Sequence, residues 1–158
     1  MFRNICLIGM PYSGKSFLSR LLYKSLQKGH IDTDDLIRSR YNCNLDELIK
    51  KVGNDTFLTI ENKIIKNIVC KNTIIATGGS VIYNHSSMNY LKNDLNSEIY
   101  YLYISYPEFL RRMKKIESRG VIMNKKYSYK DLYDERIELY NLYADHTINV
   151  DSLFRRTS

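Results

Sequence analysis

Gly9-Met10-Pro11-Tyr12-Ser13-Gly14-Lys15-Ser16 joins two contrasting stretches of the chain. Before it, Phe2 to Ile8 is a short apolar run that reads as a buried strand. After it, Phe17, Leu18, Leu21, Leu22 and Leu26 recur at the spacing of one helix face, so a helix is expected from Ser13 onward. The octet satisfies G-x-x-x-x-G-K-[ST], and a strand before with a helix after is the setting in which that pattern cradles phosphate. Backbone N–H groups of such a loop surround phosphate oxygens, and the helix adds the positive end of its dipole. Gly9, Pro11, Tyr12, Ser13, Gly14, Lys15, Ser16 and Phe17 are therefore candidate nucleotide-binding residues. Lys15 is expected to bridge the β- and γ-phosphates, and the Ser16 hydroxyl to ligate Mg²⁺. ATP is the expected nucleotide, because the N-K-x-D segment that reads guanine is absent.

Outward from the loop, strands alternate with helices. His30-Ile31-Asp32 reads as a strand end, Thr73 to Ala76 and Ile99 to Ile104 as buried strands, and Thr147 to Val150 as a last short strand. Helices are expected over Asp35 to Arg40, Leu45 to Val52, Asp55 to Val69, Met88 to Leu91, Pro107 to Lys115 and Lys130 to Tyr143. Ser118 to Tyr129 lacks apolar periodicity and reads as a loop. This alternation predicts an α/β fold with a parallel sheet covered by helices. Ligands of such sheets bind beyond the carboxyl ends of the strands. The glycines after Ile8 and Thr77 and the acidic residues after Ile31 all fall at such ends. Asp32 and Asp34, at alternate positions, are expected to face one cleft. Capping of the following helix is assigned to Asp35 ahead of either of them.

The composition is that of a soluble globular protein of one domain, 158 residues long with 44% hydrophobic and 26% charged residues. No apolar run approaches the length of a membrane span, and the N-terminus lacks the pattern of a signal peptide, so a cytoplasmic location is expected. A net charge of +7 suits anionic ligands, but the lysines are scattered and no nucleic-acid motif is present, so no nucleic-acid partner is expected. Three widely spaced cysteines, Cys6, Cys43 and Cys70, form neither a metal set nor a disulfide framework. A monomer is the default expectation.

Five further segments, in their order and spacing, resemble the shikimate kinase family over nearly the whole chain, Cys6 to Asp151. Ile31-Asp32-Thr33-Asp34 is similar to D-[ST]-D, Phe57-Leu58-Thr59-Ile60-Glu61 to F-R-x-x-E, and Ala76-Thr77-Gly78-Gly79-Ser80 to T-G-G-G. Ser118-Arg119-Gly120-Val121-Ile122 is similar to the lid segment R-P-L-L, and Arg136 to Tyr140 with Ala144-Asp145 to R-x-x-x-Y followed by A-D. The resemblance implies a three-layer P-loop kinase fold, a five-stranded parallel sheet flanked by helices, with a mobile lid at about 116–129. It implies transfer of the ATP γ-phosphoryl group to a hydroxyl of shikimate, with ATP and Mg²⁺ required and a place in aromatic amino acid biosynthesis. Asp32 would hold the Mg²⁺ hydration shell, and Asp34 would bind the acceptor and act as base. Gly78, Gly79 and Ser80 would line the acceptor site, and Arg136 would pair with its carboxylate. Arg119 would neutralise charge on the transferring group, and Arg111 or Arg112 would stack on adenine, with Asn149 to Asp151 at the pocket edge.

Four positions depart from the pattern. Leu58 stands where the family has a second substrate arginine, which leaves Glu61 without its usual partner. Ser80 replaces the third glycine, Tyr12 occupies a phosphate-loop position where glycine is common, and Gly120 replaces the lid proline. The ATP side is nearly intact, while Leu58 and Ser80 touch the acceptor side. Three readings stay open: a shikimate kinase, a kinase of another small acceptor such as a sugar acid or nucleoside, and a non-catalytic ATP-binding relative.

Overall fold

A computed structural model describes residues 3–115 and 121–154. The apolar run before the phosphate loop forms β1 (Asn4–Ile8), which lies at the middle of a five-stranded parallel sheet. Its neighbours are β3 (Thr73–Ala76) and β4 (Ser97–Tyr103), with Cys6 opposite Ile75 on one side and Ile99 on the other. β2 (Gly29–Asp32) extends the sheet beyond β3, and β5 (His146–Asn149) extends it beyond β4. The order β2-β3-β1-β4-β5 matches the parallel α/β sheet expected from the sequence. Central strands of such a sheet are covered on both faces, which is why β1 and β3 read as unbroken apolar runs.

The helices are α1 (Lys15–Leu26), α2 (Thr33–Tyr41), α3 (Leu45–Val52) and α4 (Asn54–Lys66), followed by α5 (His85–Asn89), α6 (Tyr106–Lys115), α7 (Tyr129–Tyr143) and α8 (Val150–Phe154). The main core gathers Cys6, Leu7, Ile8, Ile74, Ile75, Ile99 and Leu102 of the sheet with Phe109, Tyr133 and Tyr140 of α6 and α7. A second, smaller core of Ile37, Leu48, Phe57, Ile60 and Ile122 joins α2, α3 and α4, and Leu58 packs against it. Among the described residues, no helix is long and apolar enough to cross a membrane.

Several boundaries differ from expectation. α1 begins at Lys15, two residues after the start read from the sequence, because Ser13 and Gly14 belong to the loop. α4 stops at Lys66, so Val69 is exposed. The expected helix at Met88 to Leu91 is the junction of α5 with a single π-helical turn, Tyr90–Asp94. Val150, assigned to the last strand, instead begins α8 and is buried in the main core. Phe2 and residues 116–120 lie outside the described residues.

Asn4 shows how the sheet is anchored at the end opposite the phosphate loop. Its side chain is buried, accepts from the Thr73 N–H at 2.9 Å and donates to the Leu95 carbonyl at 2.6 Å. It thereby ties β1 to the starts of β3 and β4. Asn4→Ala leaves a buried donor and acceptor unpaired, and urea unfolding is expected to show a loss of about 2–3 kcal/mol.

Candidate active site

The carboxyl ends of β1, β2 and β3 open into a cleft of about 340 Å³. Its lining includes Pro11, Tyr12, Gly14, Lys15, Ser16 and Phe17 from the loop and α1, and Asp32 and Asp34 from the second strand and helix. Gly78, Gly79 and Ser80 after β3, and Arg136 from α7, also line it. Segments far apart in sequence are thus brought to one place.

The loop is built to receive an anion. Gly14 precedes α1 in a left-handed conformation (φ 94°) and supplies no side-chain cap, so the first turn of the helix is not closed by its own sequence. Gly9 has φ 149°, and a Cβ there would fall 2.7 Å from the Leu102 carbonyl oxygen, so the β1 exit requires glycine. The Lys15 ammonium is buried and folded over the loop. It donates to the carbonyls of Gly9 at 2.7 Å and Met10 at 2.8 Å, and to Ser13 Oγ at 3.3 Å.

Tyr12 adopts φ 67°, a conformation that costs a non-glycine residue about 1–2 kcal/mol. Its ring lies against Phe109 of α6, centroids 6.5 Å apart, and is nearly buried. The Tyr12 carbonyl accepts from Arg112 Nη1 at 2.9 Å, while Arg112 Nε donates to Glu108 at 2.7 Å. Hydrogen bonds from Arg111 first, and then Arg112, hold the Glu108 carboxyl down at about 2. Arg112 therefore braces the phosphate loop from outside. Asn149 to Asp151 is absent from the lining. Asp151 instead accepts from the Ser105 N–H at 3.2 Å and joins α8 to the end of β4.

The acidic residues divide their tasks differently from the sequence reading. Asp32 caps α2, its Oδ1 accepting from the Asp34 N–H at 3.0 Å, and its Oδ2 accepts from the Ser16 hydroxyl at 2.6 Å. Asp35, the residue expected to cap, lies in the first turn and pairs with Arg38 at 2.6 Å. Asp34 is on the helix, not on an extended strand. The Asp32 cap sets the start of that helix and so aims Asp34 at the loop after β3.

That loop is tightly enclosed. A Cβ on Gly78 would fall 2.8 Å from Glu61 Oε1 and 2.9 Å from Asp34 Oδ1. A Cβ on Gly79 would fall 2.8 Å from Pro11 Cδ and 2.9 Å from Arg136 Nη1. The Gly79 carbonyl accepts from Tyr140 Oη at 2.6 Å, and Tyr140 lies one turn beyond Arg136 on α7. Arg136 is 1% exposed; it donates to the Ile122 carbonyl at 2.5 Å and to Tyr83 Oη at 3.2 Å. Burial works against its charge, and the hydroxyls of Tyr140 and Tyr83 more than offset that loss.

Glu61 is also 1% exposed. Leu58 gives it no cation, and the Ser80 hydroxyl donates to it instead, with Oγ 3.1 Å from Oε1 and 3.2 Å from Oε2. Burial, and then the neighbouring Asp34, push the Glu61 carboxyl up to about 8.

Arg119 and Gly120 lie outside the described residues. Of the lid segment, Val121 and Ile122 line the cleft. Six other lining residues were not assigned to the site from the sequence: Arg20, Asp35, Arg38, Leu45, Phe57 and Thr77. Arg38 was legible in principle, since it lies one helical turn after Asp34 on the same face.

A phosphate loop at the head of a parallel sheet, with a carboxylate, a glycine pair and a buried arginine facing it across one cleft, defines a P-loop kinase of small molecules. Comparison with known proteins narrows this class. The shikimate kinase family model matches residues 11–156. A shikimate kinase of Clostridium botulinum (strain ATCC 19397 / Type A) is 35% identical, covering 98% of this chain and 91% of that protein. The solved shikimate kinase of Aquifex aeolicus is 28% identical with a TM-score of 0.79, covering 94% and 87% of the two chains. A shikimate kinase from Acinetobacter baumannii, solved in complex with shikimate, superposes with a TM-score of 0.85 at 24% identity, over 99% and 90%. The chain belongs to the shikimate kinase family.

The raised Glu61 carboxyl links folding to pH. The folded state keeps this proton while the unfolded state loses it from about pH 4.5 upward, so stability falls as pH rises toward about 8. Glu61→Gln is expected to remove that part of the decline, seen as a smaller drop in Tm between pH 5 and pH 8.5 than in the unsubstituted protein.

Proposed function

We propose that this chain catalyses transfer of the ATP γ-phosphoryl group to a hydroxyl of shikimate, one step of aromatic amino acid biosynthesis. Beyond family membership, the observation that carries this reading is the placement of Asp34 and Arg136 on either side of Gly78-Gly79. One carboxylate lines the cleft beside Gly78, and one guanidinium lines it beside Gly79.

The residues fit Mg²⁺. Ser16 Oγ and Asp32 Oδ2 are hard oxygen donors 2.6 Å apart, and no group of three metal-binding side chains occurs among the described residues. Such a sparse set suits an ion that keeps water and takes phosphate oxygens as its other ligands. When bound, Mg²⁺ supplies positive charge to the phosphate oxygens. Ser16 would ligate it directly and Asp32 through water.

In this reading Lys15 leaves the Gly9 and Met10 carbonyls and bridges the β- and γ-phosphates. Gly9, Pro11, Tyr12, Ser13, Gly14, Ser16 and Phe17 surround the nucleotide with their backbone, and Arg112 holds that loop in shape. Asp34 orients the acceptor hydroxyl and takes its proton as the new O–P bond forms. Gly78, Gly79 and Ser80 form the floor beneath the acceptor, and Arg136 binds its carboxylate. Arg119 would neutralise charge on the transferring group. All 158 residues would act as one kinase domain, with 116–129 as the lid. The enzyme would work as a cytoplasmic monomer without nucleic-acid or membrane partners.

Leu58 favours a second reading, a related kinase whose acceptor carries less negative charge. A coupled assay of ADP release separates the two, with shikimate-dependent turnover expected. Folded protein that turns over another hydroxylated acceptor but not shikimate would overturn the first reading. Lys15→Ala is expected to lower turnover by at least about a hundredfold. Asp34→Asn is expected to lower kcat by about 10²–10⁴ while calorimetric ATP affinity stays intact. Equal loss of ATP affinity would contradict the role given to Asp34.

A further inference from the structure

Glu61 is a buried acid without a cation of its own. The groups facing it come from several elements. Asp34 faces it from α2, the Ser80 hydroxyl from the segment after β3, and Arg136 and Tyr140 from α7. α3 meets α4 through apolar side chains, including Leu48 and Ile49, and α5 meets it through the Ser87 hydroxyl, which donates to Asn62 at 2.8 Å. One carboxylate and one guanidinium thus act on Glu61 from opposite sides of Gly78-Gly79.

The charge balance at this site turns on the state of Glu61. The pattern F-R-x-x-E contributes one arginine and one glutamate, which sum to zero. Leu58 removes the positive member. If Glu61 stayed ionised, the charged groups acting at this point would be two carboxylates, Asp34 and Glu61, beside one cation, Arg136, and the Arg136 charge would be spent within the protein. With Glu61 neutral, the sum from positions 58 and 61 returns to zero and Arg136 remains available to a ligand anion. Burial and the facing Asp34 carboxylate favour this state, while the Ser80 hydroxyl, a donor, works the other way and is outweighed. The Ser80 hydroxyl lies within hydrogen-bond reach of either Glu61 oxygen, so the buried carboxyl has a polar side-chain partner that is not a cation.

We propose that Glu61 is an uncharged positioning residue, held by Ser80, whose neutrality keeps Arg136 free to bind the carboxylate of the acceptor. The proposal rests on the functional reading above and adds to it the condition under which the acceptor binds. Its upward-shifted carboxyl places the loss of that condition in the mildly alkaline range. Tyr83 and Tyr140 are both pushed above the ordinary tyrosine range by burial, so neither titrates in the same window.

The test has two readouts. The side-chain carboxyl ¹³C resonance of Glu61, identified by its loss in Glu61→Gln, is expected at the position of a neutral carboxyl at pH 6.5 and is expected to move to that of a carboxylate by pH 9. A carboxylate already at pH 6.5 overturns the proposal. In steady-state kinetics at saturating ATP, KM for shikimate is expected to rise about tenfold between pH 6.5 and pH 9, the fall in the neutral fraction of a group titrating near 8. KM for ATP should not follow it. Glu61→Gln is expected to flatten the rise, and so is Leu58→Arg, which gives Glu61 a cation and keeps it ionised throughout. A flat KM in the unsubstituted enzyme, or a rise that persists in either folded variant, overturns the proposal. Absence of shikimate turnover at every pH would instead sink the functional reading, and the ¹³C resonance would still decide the charge of Glu61.

Discussion

Two ionisable side chains removed from water on either side of Gly78-Gly79 constrain the rest of this site. Arg136 and Glu61 are each 1% exposed, and a buried ionisable group must be neutralised, paired or fully hydrogen-bonded. Arg136 is satisfied by the Ile122 carbonyl and the Tyr83 hydroxyl, and Glu61 by Ser80. Ile122 belongs to the lid segment, and Ser80 and Tyr83 to the segment after β3. Keeping them in place holds α7, the end of the lid segment and the loop after β3 against one another. The glycines follow from the same constraint, because a Cβ at either would strike one of the two groups.

A second constraint links the nucleotide side to the acceptor side. The Asp32 carboxylate accepts from Ser16 with one oxygen and from the Asp34 N–H with the other. Ser16 belongs to the helix after the phosphate loop, and Asp34 to the helix after β2. One carboxylate therefore fixes the spacing between the residue proposed to meet the metal and the residue proposed to act as base. Tyr140 makes a similar link by holding the Gly79 carbonyl one turn along α7 from Arg136. Through such links a parallel sheet with ordinary strands presents a defined cleft at one edge.

Much of this was legible in the sequence, for physical reasons. Buried parallel strands need unbroken apolar runs, so β1, β3 and β4 could be read directly, and the phosphate loop between β1 and α1 carries its own fingerprint. Edge elements were less legible. β5 is largely exposed and its residues have little pattern, so Val150 was assigned to the strand when its burial comes from beginning α8. Capping is expected at Asp35 ahead of Asp32, yet Asp32 caps α2 with one oxygen and accepts from Ser16 with the other, a division that only the geometry shows. The fit of Tyr12 depends on Phe109, nearly a hundred residues away, and the partnership of Glu61 with Ser80 on a through-space contact. Neither leaves a periodic trace. Leu58 and Ser80 are both visible as departures, but the contact of Ser80 with Glu61 is seen only in the geometry. Arg119 and Gly120 lie outside the described residues, and their assignments rest on the sequence resemblance.

The central claim is that a single buried arginine suffices to bind an anionic acceptor in this cleft. It is tested most directly by comparing kcat/KM for shikimate with that for its methyl ester at pH 6.5 and saturating ATP. The two share their hydroxyls and differ in the charge that Arg136 is proposed to meet. Loss of a buried charge-assisted contact, about 2–5 kcal/mol, predicts at least a tenfold lower value for the ester. Equal values for acid and ester would contradict the account.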